Sequence, residues 1–355
     1  LTLGFARYPF VGKGAGLARG FLSTVFYIYK HLEQKATLQD VPILKVATRD
    51  ESGNLVMSRM VNSYASALLP KELLHVAAPG WFHPLKGTRN HFFTMWEADK
   101  LPEEFVETLN GAQSWIVPSQ HNKALWARYG FDAKVVPLGV HEAYTLGDPD
   151  RSRLAGPGGS RPLRFLFVGS QSPRKGWPVI APAYAKAFSE MVPNANVQLI
   201  VKTIQNEGEG KLIRSEDGKV LVDTRDLSAT EMLGLYRYAD VFLFPSLGEG
   251  FGLPPLEAMA SGALAVSTAN TGLSDFIDDG TAFVIPQTIP AELQYGTEAQ
   301  QIMLPSVDKL AEMLAYVYQQ WGTPDVETRR QSGCIRARSL TWDNTCTKLL
   351  EAIAS

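Results

Sequence analysis

Residues 246–262 read SLGEGFGLPPLEAMASG, and in this run Glu249 and Glu257 are separated by seven residues that include Gly250, Gly252 and a Pro254-Pro255 step. A carboxylate accepts hydrogen bonds from two hydroxyls, which suits the vicinal diols of a ribose or a pyranose. Glycines without a Cβ let backbone N–H groups approach a ligand closely. Proline fits the first turn of a helix, where its missing N–H costs little. A helix opening after Gly252 aims the positive end of its dipole at whatever the glycine turn holds, so an anion is the natural guest. The blander alternative makes Glu249 a solvated loop residue and Glu257 a dipole partner. That alternative describes most isolated glutamate pairs, and the Gly-Phe-Gly-Leu-Pro-Pro spacer tells against it here.

Three further stretches carry chemistry. In GSQSPRKGW (169–177) a glycine turn is followed by Arg174 and Lys175. Arginine offers a planar fork and lysine a point charge, which together suit a diphosphate. FVGKGAGLARG (10–20) is a glycine-rich loop entering a helix, with a plain turn as the even alternative. HFFTMWEADKLPEE (91–104) places His91, Trp96 and Glu97 near one strand end; Trp96 is equally a core residue and His91 a satisfied strand histidine.

The elements that must position these residues follow from hydrophobic patterning. LRFLFVGS, VQLIVKT, DVFLFPS, LAVST and AFVIP are short, nearly unbroken apolar runs separated by helical patterns. Such runs read as strands buried on both faces of a parallel sheet, joined by βαβ crossovers. The first half alternates more loosely, with strands expected at TLGFA, VPILKVA, LLHVAAP, HFFTMW, SWIVPS and KVVPLG. Segment 293–310, LQYGTEAQQIMLPSVDKL, reads as a long polar-aromatic loop, of the kind that often forms a functional flap.

Length and composition bound the rest. A chain of 355 residues exceeds the size of one comfortable core, so two α/β domains are expected. The Gly/Pro/Arg-rich stretch 141–162 is the natural linker. This gives an N-terminal Rossmann-like domain over 1–150, a second over 151–335 and a terminal helical segment over 336–355. Hydrophobic residues make up 45% of the chain and the net charge is -2, so bulk charge gives no drive toward nucleic acid or anionic lipid. Two cysteines in this length are no disulfide scaffold, which fits a reducing cytoplasmic setting. No apolar run is long enough to span a bilayer. The opening residues lack the layout of a signal peptide.

The run EGFGLPPLEAMASG, with YRYADVFLFPS before it and GLSDFIDDGTAFVIP after it, resembles the retaining GT-B glycosyltransferases of the large family that includes sucrose and mannosyl transferases (glycosyltransferase family 4, glycosyl transferases group 1). The resemblance covers most of 163–350. It implies two Rossmann-like doubly wound domains facing across a cleft, the donor on the C-terminal side and the acceptor on the N-terminal side. By resemblance, Glu257 binds the ribose of a sugar nucleotide and Glu249 lies by the donor sugar, which the backbone of Gly250, Phe251, Gly252 and Leu253 also contacts. Gly169, Ser170, Arg174 and Lys175 become the phosphate-binding segment. Many relatives carry an arginine where this chain has Ser170, and Arg174 supplies that charge. Thr224 and Arg225 fall in the loop that cups the nucleobase, and Gly14 and Gly16 in the N-domain loop that closes on the donor phosphates. Many relatives have a cleft histidine where this chain reads Trp96-Glu97, leaving Glu97, Trp96 or His91 to replace it.

The reaction implied is transfer of a sugar from a UDP- or GDP-sugar to an acceptor hydroxyl, with retention at the anomeric carbon. Glu249, Arg174, Lys175 and Glu97 are the expected catalytic residues. No cofactor and no metal are called for, and the one Asp-x-Asp triplet, 148–150, falls in the linker. The acceptor stays open among a glycan, a lipid-linked sugar, a small molecule and a modified nucleic acid. Lys13, Arg19, Lys30 and Lys35 beside the apolar face of the first helix suit either peripheral contact with the inner membrane face or a plain core helix. The alternatives on the same architecture are a sugar-nucleotide epimerase and a non-catalytic nucleotide-sugar-binding protein.

Overall fold

The computed structural model describes residues 2–7, 16–42, 44–49, 55–60, 69–147, 157, 159, 161–204, 209–295 and 298–355. The chain forms two compact units: residues 1–96, 100–137 and 342–355 make the first, and residues 97–99 and 138–341 the second.

In the first unit the chain runs β1 (Thr2–Arg7), α1 (Gly16–Leu32), β2 (Thr37–Pro42), β3 (Leu44–Arg49), β4 (Leu55–Met60), β5 (Glu72–Val76), β6 (Arg89–Phe93), α2 (Glu103–Leu109), β7 (Ser114–Val117), α3 (Gln120–Arg128) and β8 (Ala133–Val135). Six strands form a parallel sheet in the order β2-β1-β5-β6-β7-β8. The expected single strand VPILKVA divides here. Its start completes β2 in the sheet, and β3 leaves to pair antiparallel with β4. Pro42 ends the sheet strand, and a residue without an N–H cannot continue a ladder. The core on one side of this sheet is rich in aromatic residues, with Phe82 stacked on Phe92 at 4.3 Å and Trp126 fully buried.

The second unit contains α4 (Glu142–Thr145), β9 (Leu163–Val168), α5 (Trp177–Ala185), β10 (Val197–Lys202), β11 (Leu212–Arg214), β12 (Val220–Asp223), α6 (Ala229–Tyr238), β13 (Val241–Phe244), α7 (Leu253–Ala260), β14 (Leu264–Ser267), β15 (Phe283–Val284), β16 (Gln287–Tyr295), β17 (Glu298–Pro305), α8 (Val307–Gln319) and α9 (Pro324–Ser339). Its sheet order is β11-β12-β10-β9-β13-β14-β15, parallel except for the edge strand β11. Every residue of β13 and β14 is buried, which is why these strands read as unbroken apolar runs. β9 lies at the centre and the strand order reverses beside it, so the gap between the carboxyl ends of β9 and β13 is the topological switch point where open α/β sheets take ligands.

One expectation fails in this unit. Segment 293–310 is no loop: β16 and β17 pair as an antiparallel hairpin, and α8 follows directly. The physical reason is a period of two. Gln300, Ile302 and Leu304 turn inward while Ala299, Gln301 and Met303 are exposed.

The chain ends in α10 (Trp342–Ala354), which belongs to the first unit. There Trp342 stacks on Tyr27 of α1 at 5.2 Å, and Cys346 Sγ lies 3.6 Å from the Ile28 carbonyl oxygen. Ile28 and Leu32 of α1 are therefore buried against protein. Among the described residues no helix is long and apolar enough to cross a membrane. Cys334 and Cys346 are both unpaired by disulfide and buried.

Candidate active site

β9 ends at Val168, and the chain turns through Gly169 and Ser170 into a single 3-10 turn, Pro173–Lys175. Gly176 then closes that turn and starts α5 with φ +72°. A Cβ at Gly176 would collide with the Pro245 carbonyl oxygen just after β13, so only glycine lets the start of α5 touch that strand's end. Gly169 is less tight: an added Cβ would lie 3.1 Å from the edge of the Phe167 ring. These contacts bring Arg174 and Lys175 onto the segment that follows β13.

There the two cations meet Glu249. Lys175 Nζ donates to Glu249 Oε1 at 2.6 Å, Ser246 Oγ donates to the same oxygen at 2.6 Å, and Arg174 Nη1 lies 3.3 Å from it. Arg174 Nη1 also donates to the Gly248 carbonyl at 2.6 Å, and Arg174 Nη2 stands 3.8 Å from Glu97 Oε1. All three donors to the Glu249 side chain converge on Oε1; among the described residues no hydrogen bond reaches Oε2. Lys175 Nζ lies 5.3 Å from the centre of the Phe244 ring, which adds an apolar floor.

Burial and charge compete in this cluster. Burial pulls the Lys175 ammonium below the usual lysine range, with Glu249 opposing and Arg174 assisting. Burial alone would push the Glu249 carboxyl up, but Lys175 and Arg174 outweigh it and hold the group below the ordinary glutamate value. Two cations therefore share one carboxylate in a site with little water. An arriving polyanion would meet fixed positive charge of the kind that stabilises developing negative charge.

Gly252, at φ +111°, caps α7, and Pro254 and Pro255 fill its first turn. Glu257 lies one turn further along and is half-buried. Its carboxyl is not part of the cluster. Burial pushes it up to about 8 while a hydrogen bond from Tyr236 pulls the other way. Phe251 is buried against Phe276, with ring centres 5.4 Å apart.

Thr224 and Arg225 lie apart from these groups, after β12. Thr224 Oγ1 accepts from the Lys211 N–H at 2.8 Å, and Arg225 pairs with Asp223 at 2.8 Å. The turn is held by Lys202, a buried lysine at the end of β10 that sequence reasoning missed. Its Nζ donates to the carbonyls of Thr203 and Arg225 at 2.7 Å each. A cation closing an apolar strand, as in VQLIVK, was the available signal. Ser170 Oγ sits 3.1 Å from Ser172 Oγ. Gly14 lies outside the described residues, and Gly16 is the first residue of α1.

A cavity in the second unit adjoins Arg174. Leu247, Gly248 and Thr271 line it, with Glu97–Asp99 and with Leu293, Gln300 and Ile302 of the β16–β17 hairpin. Glu97 is thus placed beside Arg174. The other two residues proposed for the same role are not: Trp96 packs against the core of the first unit and donates its Nε1–H to the Lys100 carbonyl at 2.7 Å. His91 is buried within β6, 2.6 Å from Glu72 Oε2 and 2.7 Å from Ser114 Oγ. Among the described residues no group of His, Cys, Asp and Glu has the makings of a metal site.

The family model for Glycosyl transferases group 1 matches residues 162–299. The serotype-specific mannosyltransferase WbdA of Escherichia coli is 32% identical over 203 residues, covering 54% of this chain and 24% of that protein. The D-inositol 3-phosphate glycosyltransferase of Pseudarthrobacter chlorophenolicus is 32% identical over 186 residues, covering 48% of this chain and 43% of that one. The chain therefore spans about a quarter to under half the length of these relatives. Among solved structures, Anabaena HepE in complex with UDP-glucose superposes with a TM-score of 0.63 at 14% identity, over 99% of both chains. That likeness establishes the two-sheet GT-B architecture. Residues 162–299, which carry the Lys175–Glu249 cluster and α7, are the part of the chain that matches the glycosyl transferases group 1 family.

Proposed function

We propose that the protein transfers a glycosyl group from a nucleoside diphosphate sugar to an acceptor hydroxyl, with retention at the anomeric carbon. The observation that carries this reading is the convergence of Arg174 and Lys175 on Glu249 at the switch point of a parallel sheet, beside the glycine-capped mouth of α7. A diphosphate seated there would face both cations and the positive end of the helix.

In this reading the bond from the anomeric carbon to the phosphate oxygen breaks, and the electron pair leaves with the nucleoside diphosphate. Arg174 and Lys175 stabilise that charge. The acceptor oxygen forms the new bond on the same face of the ring, and its proton passes to the departing phosphate oxygen. Glu249 uses Oε1 to hold the cations and offers Oε2 to a sugar hydroxyl, alongside the backbone of Gly250, Phe251, Gly252 and Leu253. Glu257 takes the ribose diol, and the turn at Thr224 and Arg225 takes the base. Glu97 lines the sugar side. The first unit serves the acceptor. HepE has been seen with UDP-glucose, and the curated relatives include mannosyltransferases, so UDP- and GDP-hexoses are the donors to try first. The setting is the cytoplasm, at or near the inner membrane face.

The test is release of nucleoside diphosphate from a panel of UDP- and GDP-sugars, with and without candidate acceptors, followed by NMR of the product's anomeric configuration. Slow release without acceptor, dependent on Lys175, is the expected result. Tight binding with no release from any donor would make the protein a binding module, and an inverted product would remove the retaining mechanism.

A further inference from the structure

Thr271 is, among the described residues, the one non-glycine residue with a left-handed backbone, at φ +48°. Branching at Cβ makes that region unfavourable, and such residues persist where their surroundings over-determine them. The surroundings here belong to Glu249. Thr271 Oγ1 accepts the Glu249 N–H at 2.8 Å, and the next N–H, that of Gly272, donates to the Glu249 carbonyl oxygen at 2.9 Å. A Cβ on Gly272 would collide with the Gly250 carbonyl oxygen, so the two backbones run in contact. The peptide groups on both sides of Glu249 are thus gripped from one turn, while the carboxylate carries Lys175, Arg174 and Ser246.

Glycine would adopt φ +48° freely and would also make the turn. What glycine lacks is the hydroxyl, which satisfies the Glu249 N–H beside the cavity that Thr271 itself lines. We propose that Thr271 is a positioning residue: its strained backbone delivers a hydroxyl that fixes the Glu249 main chain, and through it the carboxylate that aligns Lys175 and Arg174. The catalytic consequence rests on the glycosyltransferase reading above; the structural claim does not.

Three measurements on Thr271→Gly and Thr271→Ser test it in the full chain: thermal unfolding, hydrogen exchange at the Glu249 amide, and kcat and KM for nucleoside diphosphate release. Relieving the backbone should leave the Thr271→Gly unfolding midpoint at or above that of the wild type. Losing the hydroxyl should speed exchange at Glu249 by about tenfold and lower kcat by about tenfold, the ratio expected for one lost hydrogen bond, with KM changed less than about twofold. Thr271→Ser should bring exchange and kcat back to within about threefold of wild type. Wild-type exchange at Glu249 in Thr271→Gly, or a serine variant as impaired as the glycine one, overturns the proposal. A wild-type protein that releases no nucleoside diphosphate from any donor defeats the functional reading alone, and the exchange comparison then decides the role of Thr271.

Discussion

Lys175 Nζ lies 2.6 Å from Glu249 Oε1, with Glu249 buried and Lys175 largely so, and the charge of each depends on the other. Removing one partner of a buried ion pair leaves an uncompensated charge and costs roughly 3–5 kcal/mol, more than the pair itself contributes. Glu249→Ala should therefore destabilise the protein strongly in urea denaturation. The double variant Glu249→Ala/Lys175→Ala should lose clearly less than the sum of the two single losses. Additive losses would mean that the two groups do not act as a pair.

The same pair sets an acid limit. The folded Glu249 carboxyl titrates below its unfolded value, so its contribution to stability is present above the unfolded pKa and is lost as pH falls through the folded one. Unfolding midpoints measured from pH 6 down to pH 3 should fall less steeply in Glu249→Gln than in the wild type. Parallel curves would contradict the assignment.

Glu257 has the opposite sign. Its folded pKa, about 8, lies above the unfolded value, so its contribution is complete below the unfolded pKa and is lost as pH rises toward 8. Glu257→Gln, which cannot ionise, should gain stability relative to wild type steadily between pH 5 and pH 8. In the functional reading it should also weaken nucleoside diphosphate binding, since an amide replaces a carboxylate at the ribose. Calorimetry over the same pH range checks both outcomes.

Turnover of the folded protein should depend on Lys175 as well. A fixed donor aimed at developing charge is worth about 3–4 kcal/mol, so Lys175→Ala should lower kcat for nucleoside diphosphate release by about 10²–10³-fold. A variant with wild-type kcat would remove Lys175 from the chemistry.

Two glycines with similar backbones separate conformation from contact. Gly176 (φ +72°) abuts the Pro245 carbonyl, whereas a Cβ at Gly130 (φ +82°) would meet nothing within 4 Å. Gly130→Ala should cost about 1–2 kcal/mol, the penalty of a left-handed residue alone. Gly176→Ala should cost measurably more and lower donor turnover, because it pushes the Arg174-Lys175 turn away from β13. Equal losses in denaturant titrations would show that the Gly176–Pro245 contact yields at no cost.

The parallel sheet of the second unit was legible because strands covered on both faces need no polar positions, and LRFLFV and VFLF announce them directly. The Arg174, Lys175 and Glu249 candidates were legible as residue types beside glycine turns, though no spacing could reveal that both cations meet on one oxygen of Glu249. Other features left no such mark. The hairpin at 287–305 hides its alternation behind glutamines, since Gln300 occupies an inward position where an apolar residue would signal a strand. Thr271 is invisible because threonine disfavours the backbone it adopts, and the N–H that holds it there belongs to a residue 22 positions earlier. Ser246 reads as an ordinary strand-end serine until Glu249 is seen three residues on.

The β16–β17 hairpin joins neither parallel sheet, and it is inserted between β15 and α8 with its own ladder, which shifts register once between Gln287 and Ile289. It is thus an exchangeable cassette. Grafting a hairpin of different sequence between the same two flanking elements would reshape the wall beside Arg174 without disturbing one hydrogen bond of the parallel strands. Selectivity could drift by recombination here while the machinery behind it stayed as it is.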